Sequence, residues 1–200
     1  LVAHHYEQGE QFDEAADSYE KAAADARRRG ALNEARSLLS RALDSTAKLP
    51  PDTQARDARE VAIRLERGFL GFAAAGHASV DAAADFERCL QIIDNHPGVE
   101  MFATFSALWS FFASRGDLRR SAQLVDALRT NIADMPQWYQ AVMDAVVGSL
   151  ALFRGELNDA RSWLESAAAA IAEMESPEID GDWYAPNDPV GGMYALLGLT

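Results

Sequence analysis

Two adjacent histidines, His4 and His5, are the first side chains in this sequence that could hold a metal. Neighbouring residues on a helix do not face each other, so at most one of them can serve a given site. No Glu stands three residues before any histidine, as a carboxylate-bridged metal bundle requires, and HExxH is missing too. His77 and His96 fall at predicted helix boundaries and read as loop or cap residues. The acidic group Glu178, Asp180, Asp182 and Asp188 lacks the spacing and the closing Glu of a calcium loop, and reads as a solvated segment. Cys89 is the only cysteine, which excludes an internal disulfide and a thiolate zinc site. It lies in ADFERCLQII at helical spacing from Phe86 and Ile93, the place of a small core residue. Phosphate chemistry lacks its cradle, because neither Gly-Lys-Ser/Thr nor GxGxxG occurs. The expectation is therefore no catalytic, cofactor-binding or metal residue in this segment.

Recognition has better material than catalysis. Arg27, Arg28 and Arg29, then Arg115, Arg119, Arg120 and Arg154, recur at predicted turns between helices. Arg29, Arg115 and Arg154 each stand directly before a glycine. Stacked repeats would line such residues along one edge, where they could dock an acidic partner. Trp138, Tyr139, Trp183 and Tyr184 sit near predicted breaks, and amphipathic rings suit interfaces. These seven residues form the expected interaction surface. Phe102, Phe105, Trp109, Phe111 and Phe112 crowd into one helix that is apolar on more than one face, which predicts a deeply buried helix.

The elements that must position these residues are helical throughout. Val61, Leu65, Gly68 and Phe72 recur at helical spacing, as do Leu164, Ala167, Ala168 and Ile171. Alternating strand patterns are missing, and good helix formers dominate. Breakers at Gly9, Gly30, Pro50, Pro51, Gly76, Pro97, Gly98, Gly116, Pro136, Gly155 and Pro177 delimit about ten helices. The predicted spans are 1–8, 11–29, 32–48, 54–75, 79–95, 98–115, 117–132, 137–154, 156–175 and 188–199.

A motif repeats across them. Each copy has a glycine, a large apolar residue, a small anchor, a large residue four positions later, and usually a small one three further on. The sets are Gly9-Phe12-Ala15-Tyr19-Ala22, Gly30-Leu32-Ala35-Leu39-Ala42, Gly76-Val80-Ala82-Phe86-Cys89, Gly116-Leu118-Ser121-Val125-Leu128 and Gly155-Leu157-Ala160-Leu164-Ala167. The last three anchors are 39 residues apart, a helix-pair period. Glycine ends the first helix in a left-handed cap, where a Cβ is strained. An arginine before it sits at the negative end of the helix dipole, worth roughly 0.3–1 kcal/mol. The anchor lets two backbones approach, and a Leu there would cost roughly 1–3 kcal/mol.

This pattern resembles the second half of a tetratricopeptide unit. The first two anchors are 20 residues apart, so the helix over 11–29 is expected to serve two pairs at once. The order of segments also resembles the helical region that follows the ATPase module of actinobacterial multidomain regulators. The residues that carry this are LVAHHYEQGEQFDEAADSYEKAAADARRRGALNEARSLLSRALD, LPPDTQARDAREVAIRLERGFLGFAAAGHAS, DFERCLQII, WSFFASRGDLRRSAQLVDAL and NDPVGGMYALLGLT. Asn187 departs from that pattern, which often has His there. The resemblance implies a parent with a class III nucleotide cyclase or a LuxR-type helix-turn-helix as its output. The functional residues of such parents lie in other domains, so none is carried over.

Composition bounds the rest. The 200 residues are 48% apolar, enough for a sizeable core, and the net charge is -13. That charge argues against nucleic acid and anionic membrane as partners. One cysteine fits a reducing, cytoplasmic home. The chain opens without Met and closes on apolar YALLGLT, so it reads as a fragment of a longer protein. The expected fold is all-α, a right-handed α-solenoid of tetratricopeptide-like helix pairs in a single domain over 1–200, with first helices at 1–48, central pairs at 54–132 and C-terminal pairs at 137–199. The expected role is a non-catalytic scaffold that binds a protein, a neighbouring domain or a small effector. A stand-alone peptide adaptor is the alternative, weakened because a carboxylate-clamp groove needs lysines and the chain has only Lys21 and Lys48.

Overall fold

The computed structural model describes residues 2–51, 54–93, 99–131, 137–174 and 189–200. The described residues are helical, with no strand. They form α1 (Val2–Gln8), α2 (Phe12–Arg28), α3 (Leu32–Thr46), α4 (Gln54–Ala75), α5 (Val80–Ile93), α6 (Val99–Ser114), α7 (Leu118–Asn131), α8 (Gln137–Arg154), α9 (Leu157–Ala172) and α10 (Pro189–Leu197). The expected spans agree with these to within three residues at each end.

The chain divides into two compact units, Leu1–Asp94 and Asn95–Thr200. In the first, α1 packs on α2, α2 on α3, α3 on α4 and α4 on α5. Helix α2 therefore serves both α1 and α3, the double duty its sequence suggests. In the second, the same sequential order runs from α6 to α10, and α8 also meets α6 and α10.

All five anchors of the motif lie in the cores: Ala15, Ala35, Ala82, Ser121 and Ala160 are each at most 1% exposed. The large residues four positions on, Tyr19, Leu39, Phe86, Val125 and Leu164, are buried as well. Two of them, Phe86 and Leu164, face a glycine on the preceding helix. A Cβ placed on Gly68 of α4 would come 2.6 Å from Phe86 Cζ, and one on Gly148 of α8 would come 2.8 Å from Leu164 Cγ. In these two copies the large side chain thus rests on bare helix backbone. Phe86 also packs its ring against Phe69 and Phe72, with centroids 5.1 and 5.0 Å away.

The turns obey the motif with one shift. Gly30, Gly76, Gly116 and Gly155 take φ between 75° and 83°. At Gly30 the chain makes a paired cap, with Ala31 N–H donating to Ala26 O (2.9 Å) and Gly30 N–H to Arg27 O (2.9 Å). In the first copy, Glu10 rather than Gly9 is left-handed, at φ 56°. Gly9 N–H still donates to His5 O in helical register, and the paired cap is made one residue later by Glu10 and Gln11. A left-handed glutamate costs roughly 1–2 kcal/mol more than glycine would, so this turn is the weakest copy of the motif.

Helix α6 is buried on several faces, as its aromatic content predicts. Ala103, Phe105, Ala107, Leu108 and Phe111 are all buried, and Thr104 beside them is fully so. Trp109 is half-buried, its ring 6.3 Å from that of Phe153 on α8. The side chain of Phe102 lies outside the described residues.

Candidate functional site

Helix α4 carries four arginines, Arg56, Arg59, Arg64 and Arg67, and two of its faces use them differently. Arg59 reaches α2. Its Nη1 donates to Asp13 (2.6 Å), its Nε to Glu20 (2.7 Å), and its Nη2 to Asp17. Farther along the same pair of helices, Arg27 Nε lies 3.2 Å from Glu66. Helix α2 is thus tied to α4 by charge, one guanidinium shared among three carboxylates.

Arg64 and Arg67 turn to α5. Asp85 sits between the core residues Ala82, Ala83 and Phe86, and its side chain is only 6% exposed. Arg67 grips it with both arms, Nε to Oδ2 at 2.9 Å and Nη2 to Oδ1 at 2.5 Å. Arg64 Nη1 adds a third bond at 3.0 Å, and Arg67 Nη1 reaches on to Ser40 Oγ of α3 at 2.9 Å. Glu60 accepts from Arg64 Nε (2.8 Å) and Arg88 Nε (3.1 Å). A buried charge is tolerated only when it is paired and hydrogen-bonded, and both carboxylates meet that requirement.

Above this network lies a cleft of about 440 Å³, lined by Arg36, Ser37, Ser40, Arg64, Arg67, Asp81, Ala84 and Asp85. Helices α3, α4 and α5 supply its walls. Arg36 comes from α3, one residue after the anchor Ala35, and its Nε is buried without a hydrogen-bond partner among the described residues. A second cleft of about 470 Å³ lies beside Arg59, between the start of α2 and the start of α4. Of its two arginines, Arg56 and Arg59, the second is already held by three carboxylates.

A further polar cluster joins α1, α2 and α3. Tyr19 donates its hydroxyl to Glu7 (2.9 Å), Ser45 donates to the same carboxylate (3.2 Å), and Arg41 Nη1 donates to Tyr19 Oη (3.3 Å). Burial pushes the Glu7 carboxyl up, but these hydrogen bonds outweigh it and hold Glu7 below the ordinary glutamate range. Glu60 behaves alike: desolvation raises it, and Arg64 and Arg88 pull it lower still. Glu66 goes the other way, raised by desolvation that Arg27 only partly offsets.

A carboxyl lowered in the folded state stabilises fully above its unfolded pKa, and that stabilisation is lost as pH falls through the folded value. Glu7 and Glu60 therefore stabilise at neutral pH and cease to do so in acid. Glu60→Gln is expected to be less stable than the parent at pH 7, with the difference closing as pH drops below about 4, through the carboxylate range. Urea denaturation at pH 7 and pH 3 checks this, and an equal gap at both would refute it. Glu66→Gln should have the opposite sign at pH 7.

The residues expected from sequence fall in both units. Arg29 belongs to the first unit, is exposed, and lies 3.5 Å from Glu34. Arg115 and Arg154 belong to the second unit. Arg115 sits over the Phe111 ring at 5.6 Å, and Arg154 is exposed. Trp138 and Tyr139 occupy the first turn of α8 and are half-buried rather than exposed. Trp183 and Tyr184 lie outside the described residues, as do the acidic group from Glu178 to Asp188 and His96. His4 and His5 are both exposed; His4 lies 3.7 Å from Glu7. No group of three His, Cys, Asp or Glu among the described residues is arranged to hold a metal. Cys89 is fully buried, and desolvation pushes its thiol up to about 12, far from a reactive thiolate.

Arg36, Arg64, Arg67 and Asp85 escaped the sequence reading. A signal was present: Asp85 interrupts a run of core residues, and Arg64 and Arg67 share a face of α4 three positions apart. No family model matches the chain, and no curated protein matches it.

Proposed function

We propose that this chain is a non-catalytic protein-interaction and sensory scaffold of a bacterial signalling protein, with its helix pairs stacked as a right-handed solenoid of tetratricopeptide-like units. The recurrent joint carries this reading: five buried anchors, each followed by a buried large residue. Bridges that skip one helix support stacking of each pair on the next. Glu7 of α1 accepts from Ser45 of α3, Arg59 of α4 holds three carboxylates of α2, and α6 meets α8. No pair in such an array buries its own face alone, which is the logic of repeat scaffolds. Among the described residues no helix is long and apolar enough to cross a membrane.

The parent is read as a nucleotide cyclase or ATPase-type regulator, with a LuxR-type transcriptional regulator as the alternative output. The segment binds a protein, a neighbouring domain or a small effector, and binding acts by favouring one of two states of the parent. The test is a reporter assay of the full-length parent carrying Trp138→Ala, Tyr139→Ala, Trp183→Ala and Tyr184→Ala. Regulation is expected to fail while helix content measured by circular dichroism is kept. Intact regulation would remove these aromatics from the interaction surface.

A further inference from the structure

The α3–α4–α5 cleft has an unmet demand. Three guanidiniums, Arg36, Arg64 and Arg67, and two carboxylates, Asp81 and Asp85, line it; Arg64 and Arg67 are paired with Glu60 and Asp85, and Arg36 is the lining cation without a carboxylate partner among the described residues. This stands out in a chain whose net charge is -13. Asp85 already occupies the fork of Arg67 and one arm of Arg64. Ser40 is also committed, since it donates to Arg36 O (2.9 Å) and accepts from Arg67. Arg36 remains, with its Nε buried and unpartnered among the described residues. Its Nη2 lies beside Gly71 of α4, where a Cβ would stand at an ordinary contact distance of 3.6 Å. An unpaired buried donor is costly to leave unmet.

We infer that this cleft binds a small molecule through a single carboxylate held by Arg36. A guanidinium edge matches the two oxygens of a carboxylate. The one unpaired guanidinium, Arg36, matches a monoanion, whereas a phosphate dianion would be repelled more strongly by Asp81 and Asp85. About 440 Å³ is room for a small organic acid. This rests on the reading of the segment as a binding scaffold. The site is tested on the isolated chain and the scaffold role on the full-length parent, so either can fail alone.

Isothermal titration calorimetry of the 200-residue chain with sodium lactate, sodium benzoate and inorganic phosphate, at ionic strength fixed by chloride, decides it. At least one monocarboxylate is expected to bind saturably, and more tightly than phosphate. Arg36→Ala should weaken that binding by about tenfold or more. Arg36→Lys should weaken it too, because a point charge cannot hold both oxygens. The thermal midpoint of Arg36→Ala should not fall below the parent's, because no internal bond of the guanidinium is lost and an unmet buried donor is removed. Absence of saturable binding by either monocarboxylate overturns the proposal. So does equal binding to Arg36→Ala, or tighter binding of phosphate.

Discussion

Arg67→Ala is expected to cost about 2–4 kcal/mol, among the largest losses any surface-reaching residue of this chain can produce. Asp85 is 6% exposed, and Arg67 supplies two of its three charged donors. Removing Arg67 leaves a buried carboxylate with one partner and severs the link to Ser40 of α3. The value sits at the low end for a broken buried pair because Arg67 itself is 23% exposed and already partly solvated. The reciprocal change, Asp85→Ala, should cost less. It removes the buried charge and leaves two guanidiniums, 22% and 23% exposed, that can turn to water. Urea denaturation of both single variants and the double variant measures the asymmetry and the coupling. Equal costs, or a loss below about 1 kcal/mol for Arg67→Ala, would mean that Asp85 rehydrates freely and that the network is ornamental.

The second large effect lies in the joint between α4 and α5. Phe86→Ala should cost about 3–5 kcal/mol, the range for deleting a buried ring. Phe86 is fully buried against Phe69, Phe72 and the backbone at Gly68. Gly68→Ala tests the same joint from the other side, and two effects oppose each other. Alanine favours the helix by about 1 kcal/mol over glycine. Its Cβ would stand 2.6 Å from Phe86 Cζ and 2.9 Å from Cε1, and overpacking of this kind costs about 1–3 kcal/mol. The ring has nowhere to retreat, so overpacking wins and Gly68→Ala is destabilising. In a Phe86→Leu background the clash is relieved, and the same substitution should become neutral or stabilising. A Gly68→Ala that stabilises the parent would show that the ring slides aside and that the close approach is not required.

These two cases also show what could be read from the letters. Caps and anchors were legible because each depends on one local property. Gly30, Gly116 and Gly155 announce a left-handed turn, and Ala35, Ala82 and Ala160 announce a close approach. The slip at Gly9 arose because one extra helical hydrogen bond moves the turn to Glu10, and nothing in the residue types signals it. The charge network was hidden for a different reason. Asp85 and Arg67 are 18 residues apart, and their meeting depends on how α4 and α5 are rotated about their axes. The arginines before the cap glycines are legible because their place is local, and Arg29 and Arg154 lie exposed. A cation at a helix end is cheap to place and so says little about binding.

Within each unit, helices touch mainly their neighbours along the chain. This has a kinetic consequence. Little loop entropy separates one packing event from the next, so each unit belongs to the class of low contact order that folds in microseconds to milliseconds. Growth can begin at any helical hairpin and spread to its neighbours, and loss can begin at a terminal helix without dismantling the far end. For a chain emerging from the ribosome, α2 and α3 can dock before α5 has been made. A protein assembled in this order can lengthen or shorten by whole helices over evolutionary time while the remaining joints keep their geometry.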